Sequence, residues 1–456
     1  MIPLTLAEIA DVVGGVVHGD PATRVTGPAY VDTRSAEPGG LFVALVGERV
    51  DGHEYAEGAH AVLGSRPTPA PTVVVDDPVG ALGRLARHVV DLLSPVVVAL
   101  TGSQGKTGTK DYLAHVLAGA GPTVATAGNL NNELGVPLTV LRADVETRYL
   151  VVEMGARGVG HVAYLCEVAP PRLAAVLNVG TAHLSEFGSR EQIARAKGEI
   201  VAALPAEGVA VLNADDDLVA AMAARTVARV LTFGADGDVR WRGVELDSRG
   251  RPSFDLGHAD AWHPVTLTQS GAHQVVNATA AAALAIAAGV EAATVARRLS
   301  ESTPDSRWRM EVHERPDGLL VVNDAYNANP ASMTAALDAL AQLGEHRTGR
   351  TIAVLGEMLE LGDGAAEAHR EVGRHAAEAG VDLLVVVGHG AAGFAEGAAS
   401  VPDWQGEVRR TAGRDQALDE VRENVAADDV VLVKASRGAA LEHVAEGLLT
   451  EGERSR

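Results

Sequence analysis

The chain has 456 residues, 47% of them hydrophobic, 21% charged and only 3% aromatic, with a formal net charge of −22. That length is too great for one hydrophobic core, and an acidic balance with no basic stripe argues against nucleic acid or an anionic membrane as partner. The single cysteine, Cys166, excludes an internal disulfide framework, suits a reducing compartment, and reads as a small buried apolar side chain.

The N-terminal M-I-P-L-T-L-A-E-I-A-D-V-V-G-G lacks basic residues and sets Glu8 and Asp11 within an apolar pattern. It reads as an amphipathic helix and not as a signal peptide. Short β-like runs follow at Gly40 to Val46 and Thr72 to Val75, then a helix around Gly80 to Leu93 that runs into Ser94-Pro95. From Pro95 to about Arg309, apolar strands alternate with helical patterns: Pro95 to Leu100, Tyr149 to Val152, Ala174 to Leu177 and Val209 to Leu212. This rhythm predicts a mostly parallel sheet covered by helices. Val239 to Thr268 breaks it with an alternating pattern and the turn Ser248-Arg249-Gly250, a small antiparallel excursion, and an Ala-rich helix over Val275 to Ala288 closes the segment. The last segment restarts the alternation at Leu319 to Val322, Thr351 to Leu355, Leu383 to Val387 and Val430 to Val433. Its helix at Pro330 is signposted by Asn329 as N-cap, with Gly344 as the expected stop. The expected architecture is α/β in three domains, 1–93, 94–309 and 310–456. The longest apolar run, Ala278 to Val290, is too short to span a bilayer, so a cytoplasmic protein without membrane insertion is expected.

The chemistry begins at Thr101, where T-G-S-Q-G-K-T-G-T-K-D follows an apolar strand. Gly102, Ser103, Gln104, Gly105 and Gly108 surround Lys106 and Thr107, which open a helix carrying Tyr112, Leu113, Val116 and Leu117 on one side. Strand, glycine loop, Lys-Thr and helix form the geometry that cradles nucleotide phosphates. Backbone N–H groups face the anion, the ammonium meets the β/γ-phosphates, and the Thr hydroxyl can reach Mg²⁺. The first glycine stands later than in the strict pattern, so the loop is a shortened variant.

Ligands in such sheets bind beyond the carboxyl ends of the strands. Glu153 falls there, either as a Mg²⁺ ligand or as a solvated strand-end carboxylate. Asn178 ends the next strand, and His183 follows in N-V-G-T-A-H-L. Lys197, in A-R-A-K-G-E-I, reads from spacing alone as a surface lysine. Asn327 to Pro330 reads either as an ordinary capping turn or as a polar loop at a helix N-terminus. Lys434, Ser436 and Arg437 follow a further strand, where an Arg can grip a carboxylate or phosphate bidentately.

Taken together, these motifs resemble the ATP-dependent Mur ligases of bacterial cell-wall synthesis. The resemblance runs through V-D-T-R-S-A-E-P-G-G-L-F-V-A-L, T-G-S-Q-G-K-T, G-N-L-N-N-E-L-G-V-P-L-T, V-V-E-M-G, N-V-G-T-A-H-L, A-K-G-E-I, N-D-A-Y-N-A-N-P, L-G-E-M-L-E-L-G and V-K-A-S-R. It implies an N-terminal α/β domain for a UDP-sugar, a central P-loop ATPase-type domain and a C-terminal Rossmann-like domain. By this resemblance Lys106 and Thr107 bind ATP phosphates and Mg²⁺, Glu153 and His183 bind metal, and Lys197 is carbamylated so that its new carboxylate helps to hold a second Mg²⁺. Asn277 would contact adenine and Arg309 the phosphates, while Asp324, Asn327 and Asn329 would touch the nucleotide. Thr33, Arg34 and Ser35 would hold the UDP-sugar, and Asn129, Asn131 and Asn132 the sugar-peptide junction. The C-terminal motifs, with Lys434, Ser436 and Arg437, are similar to those of the branch that joins D-alanyl-D-alanine to UDP-N-acetylmuramoyl-tripeptide. A monomer is implied. A motor-type P-loop ATPase and a non-catalytic nucleotide-sugar binder are the alternatives from other classes.

Overall fold

The computed structural model describes residues 1–180, 187–303 and 305–454. His183 lies outside these residues. The first helix, Leu6–Val13, is fixed by a capping box between Thr5 and Glu8 and ends on Gly14 in the left-handed conformation. Its residues Leu6, Ile9 and Val13 are buried, as an amphipathic stripe requires.

Among the described residues the strands form three main sheets. The N-terminal one runs in the order Val16–His18, Thr72–Val74, Ala61–Gly64, Leu41–Val43 and Ala29–Tyr30. The helix Pro78–Leu93 ends on Ser94 at φ 49° and carries the chain onto the central sheet. That helix also packs on the central unit, since a Cβ at Gly83 would meet the Tyr164 hydroxyl at 2.6 Å.

The central sheet has nine strands, with Val96–Thr101 between Tyr149–Glu153 and Leu173–Val176, both parallel to it. Thr123–Ala125 flanks one side, and Val209–Asn213 and Arg229–Phe233 extend the other. Buried faces explain the apolar runs. Val97 and Ala99 point into one hydrophobic layer, while Val98 and Leu100 point into the opposite one. Tyr112, Leu113, Val116 and Leu117 join that second layer. The expected excursion is three antiparallel strands, Val239–Leu246, Pro252–His258 and Ala261–Thr266.

The C-terminal sheet has the order Glu311–Glu314, Leu320–Asp324, Val430–Lys434, Thr351–Gly356, Leu383–Val387 and Glu407–Thr411. Only the first pair is antiparallel. The helix Pro330–Glu345 starts where expected, with Asn329 accepting from the Ser332 N–H at 2.9 Å. Gly344 does not stop it. A Cβ there would lie 2.5 Å from Thr351 Cγ2, so this glycine makes room for the neighbouring strand. No helix among the described residues is long and apolar enough to cross a membrane.

Candidate active site

Strand register brings the polar residues together. Glu153, the last residue of its strand, pairs with Leu100, and Val176 pairs with Thr101, so three parallel strands end side by side beneath the glycine loop. Gly105 is the N-cap of Lys106–Ala118 at φ 77°, and no side chain caps that helix. Its first N–H groups are therefore available to an anion. Glycine is required twice over at this position, because a Cβ would also meet Asn277 Oδ1 at 2.4 Å. Asn178 clamps the loop. Its Oδ1 accepts from the Gln104 N–H at 2.9 Å, its Nδ2 donates to the Gln104 carbonyl at 3.2 Å, and its own carbonyl accepts from the Ser103 N–H.

Lys106 Nζ donates to the Gly102 carbonyl at 2.7 Å. Loss of water lowers its pKa, Glu153 opposes that shift, and the nearby Arg309 adds to it. Thr107 Oγ1 donates to Glu153 Oε2 at 3.0 Å, and Asn131 Nδ2 donates to Glu153 Oε1 at 2.7 Å. With Glu153 only 1% exposed, the solvated strand-end reading is corrected: this carboxylate is buried and held from two sides. Asn132 Oδ1 accepts from the Leu134 and Gly135 N–H groups and so shapes the turn that presents Asn129 and Asn131.

Lys197 ends the helix Arg190–Lys197 and is 5% exposed. The surface reading from spacing is corrected as well. Burial, reinforced by the charge of Lys106, drives its pKa well below the ordinary lysine value. A lysine in that position favours the neutral amine.

The C-terminal unit closes the same space. Asp324 Oδ2 accepts from Lys434 Nζ at 2.5 Å and its Oδ1 from the Met310 N–H at 3.1 Å. Lys434 also donates to the Asn327 carbonyl at 2.9 Å, so its ammonium is committed within the unit. Ser436 Oγ accepts from the Leu359 N–H at 2.9 Å and does not border the cavity. Arg437 pairs with Glu442 and lies over the Trp308 ring.

Together these residues line a cavity of about 880 Å³. Its walls include Gly102 to Gly108, Asn129, Asn131, Asn132, Glu153, Lys197, Asn277, Arg309, Asp324, Asn327, Asn329, Lys434 and Arg437. Thr33, Arg34 and Ser35 sit apart from it, on an exposed turn of the N-terminal unit where Arg34 pairs with Asp32. Gln269, His273, Gln274, Tyr326 and Glu360 also line the cavity. Sequence reasoning reaches Tyr326 only as part of N-D-A-Y-N-A-N-P and assigns the others no role; for Gln274 the signal was its place one turn before Asn277 on the helix His273–Ala287.

A phosphate-binding loop on a parallel sheet, facing a second α/β unit across one polar cavity, defines a nucleotide-dependent α/β enzyme. Residues 100–285 match the Mur ligase middle domain, and residues 308–437 match the Mur ligase, glutamate ligase domain. The UDP-N-acetylmuramoyl-tripeptide–D-alanyl-D-alanine ligase of Mycobacterium bovis is 46% identical over 99% of this chain and 98% of its own length. A crystal structure of MurF from Acinetobacter baumannii superposes with a TM-score of 0.87 at 34% identity, covering 98% of this chain and 99% of that one. MurF ligase from Thermotoga maritima, solved in complex with ADP, gives 0.78 at 30% identity over 95% and 99%. The chain belongs to the Mur ligase family, in the branch formed by these D-alanyl-D-alanine ligases.

Proposed function

We propose that the enzyme uses ATP to join D-alanyl-D-alanine to UDP-N-acetylmuramoyl-tripeptide through an acyl phosphate, as a cytoplasmic monomer. The observation that carries this reading is the convergence of Lys106 and Arg309 on one cavity with the buried Glu153. Cations gathered against their own repulsion in a low-dielectric space call for a polyanion. The N–H groups of the glycine loop and the helix N-terminus add to that preference.

The donors also suit Mg²⁺. Thr107 and Glu153 offer adjacent oxygens, and Mg²⁺ characteristically completes its shell with phosphate oxygens and water. Among the described residues there is no group of three His, Cys, Asp or Glu side chains able to hold a metal. A carbamylated Lys197 would add a further carboxylate for a second ion, and His183 belongs to the same expectation. Carbamylation needs a neutral amine: Nζ bonds to the carbon of CO₂ and a proton leaves to solvent. The depressed pKa of Lys197 raises the share of that amine. Bound Mg²⁺ neutralises phosphate charge as a Lewis acid.

The chain's own groups then do the rest. Lys106 and the loop N–H groups orient the γ-phosphoryl group, so that a carboxylate oxygen of the tripeptide bonds to phosphorus as the bridging P–O bond to ADP breaks. The neutral dipeptide amine next attacks the acyl carbon, the C–O bond to phosphate breaks, and the nitrogen gives up a proton to solvent. Arg437, which lines the cavity, is the residue proposed to receive the dipeptide carboxylate. Asn129 and Asn131 face the tripeptide, and Thr33, Arg34 and Ser35 hold the uridine diphosphate end farther out. The test is phosphate release with each substrate omitted in turn. Release that requires ATP, the UDP-tripeptide and D-alanyl-D-alanine together supports the reading. Release indifferent to both peptides favours a simple ATPase and refutes it.

A further inference from the structure

Trp308 and Met310 occupy the left-handed region, at φ 58° and 49°. A bulky side chain rarely adopts that conformation, and two of them flanking one residue imply a turn imposed by its surroundings. The residue between them is Arg309. Among the described residues, the hydrogen bonds and stacking that hold this turn come from the C-terminal unit. The Tyr326 N–H donates to the Trp308 carbonyl at 3.1 Å, and the Met310 N–H donates to Asp324 Oδ1 at 3.1 Å. Trp308 is stacked under the Arg437 guanidinium at 4.3 Å, and its Nε1 donates to Glu446 at 3.2 Å. Asp324 is in turn fixed by Lys434. The guanidinium of Arg309 lies 4.1 Å from the centre of the Tyr326 ring. Its Nε is buried without a hydrogen-bond partner among the described residues, on a side chain that lines the cavity and acts electrostatically on Lys106. A buried donor of this kind calls for an acceptor from a ligand.

The geometry points to Tyr326 as a positioning residue that holds Arg309 toward the phosphate loop, making the arginine a clamp carried by the C-terminal unit. This rests on the proposed use of ATP, and it adds how the arginine is delivered. The ring face supplies the attraction, and the Tyr326 backbone fixes the strained turn beneath it. Arg309 is thereby preorganised before nucleotide arrives, and it moves with the C-terminal unit.

A double-mutant cycle tests this, using Tyr326→Leu, Tyr326→Phe, Arg309→Ala and the double variant Tyr326→Leu/Arg309→Ala in the full chain. The readouts are the dissociation constant for ADP by calorimetry and the separate KM values for ATP, UDP-tripeptide and D-alanyl-D-alanine. Tyr326→Leu, which keeps bulk and loses the ring, is expected to weaken ADP binding and raise KM for ATP about tenfold, with the two peptide KM values unchanged. Tyr326→Phe, which keeps the ring face and loses only the hydroxyl's hydrogen bond with Arg309, is expected to lose less than Tyr326→Leu. In the Arg309→Ala background the leucine substitution is expected to cost nothing further. An equal loss in both backgrounds overturns the proposal, since Tyr326 would then act on the nucleotide directly. A leucine variant with parental ADP affinity overturns it too. Calorimetry reads the clamp even if phosphate release proves independent of the peptides, so failure of the ligase reading is seen separately.

Discussion

Replacing Thr107 by Val removes one hydroxyl from the centre of the site and leaves the side-chain shape nearly intact. That hydroxyl donates to Glu153 Oε2 at 3.0 Å, and the two residues are 4% and 1% exposed. A hydrogen bond to a charged group contributes about 1.5–3 kcal/mol, and more is lost when a buried ion is left short of a donor. Glu153 keeps its bond from Asn131 at 2.7 Å, which sets the expected cost near the middle of that range, about 2 kcal/mol. For a cooperative unit of about 200 residues this lowers the melting temperature by about 4–8 °C. If the hydroxyl is worth the same when it faces Mg²⁺ and phosphate, the rate of phosphate release falls about thirtyfold. The assays are calorimetric melting without ligands and phosphate release across a Mg²⁺ titration. Thr107→Ser serves as the control, since it keeps the donor and loses one buried methyl group worth about 1 kcal/mol. The reasoning fails if Thr107→Val melts with the parent protein, or if the Ser and Val variants lose activity equally.

At Lys197, stripping CO₂ from the buffer is expected to lower activity and added bicarbonate to restore it. Lys197→Ala should be rescued in part by short carboxylic acids, and full activity in untreated Lys197→Ala rules out carbamylation. The same residue shapes stability. Its pKa is depressed on folding, so between that folded value and 10.5 the unfolded chain binds the extra proton. Stability therefore rises with pH across this window and falls as pH drops through the folded value, a dependence that Lys197→Met should flatten in denaturant titrations. A Cβ at Gly135 would lie 2.2–2.4 Å from the backbone of Leu130, which cannot move aside. Gly135→Ala is expected to displace the Asn129 to Asn132 turn and raise KM for the UDP-tripeptide at least about tenfold, the equivalent of about 1.4 kcal/mol, with a smaller effect on ATP; equal effects on both count against assigning the turn to the tripeptide. Small-angle scattering should show compaction when nucleotide and UDP-tripeptide bind together, and an unchanged radius of gyration refutes closure of the C-terminal unit.

Much of the fold is legible in the chain because parallel strands buried on both faces read as continuous apolar runs, and here they alternate with helices at regular spacing. The phosphate loop is legible for a related reason. Gly105 must take a positive φ under Asn277, and Lys106-Thr107 must open a helix, so the constraint is written in local sequence. What stays hidden depends on burial and on distant partners. A-R-A-K-G-E-I has the polarity of an exposed helix, and only the packed structure shows Lys197 enclosed beside Lys106. Gly344 reads as a helix stop because its real constraint, Thr351, comes from a neighbouring strand. The strained turn at Trp308 and Met310 carries no glycine to announce it, since it is imposed from Asp324 and Tyr326.

The same distinction bears on charge. A chain with a net charge of −22 repels a polyphosphate at long range, so capture depends on fields that act within the cavity. Burial, and then the charge of Arg309, make the Lys106 ammonium harder to keep, and a bound anion relieves that strain. Lys197 works in the opposite sense. As an ammonium it would add to the repulsion; as a neutral amine it would be silent, and as the proposed carbamate it would supply a negative charge for a metal cation. On the proposed reading, a site that takes a nucleotide together with metal ions is better served if Lys197 gives up its charge. Burial, reinforced by the charge of Lys106, is what pushes it that way.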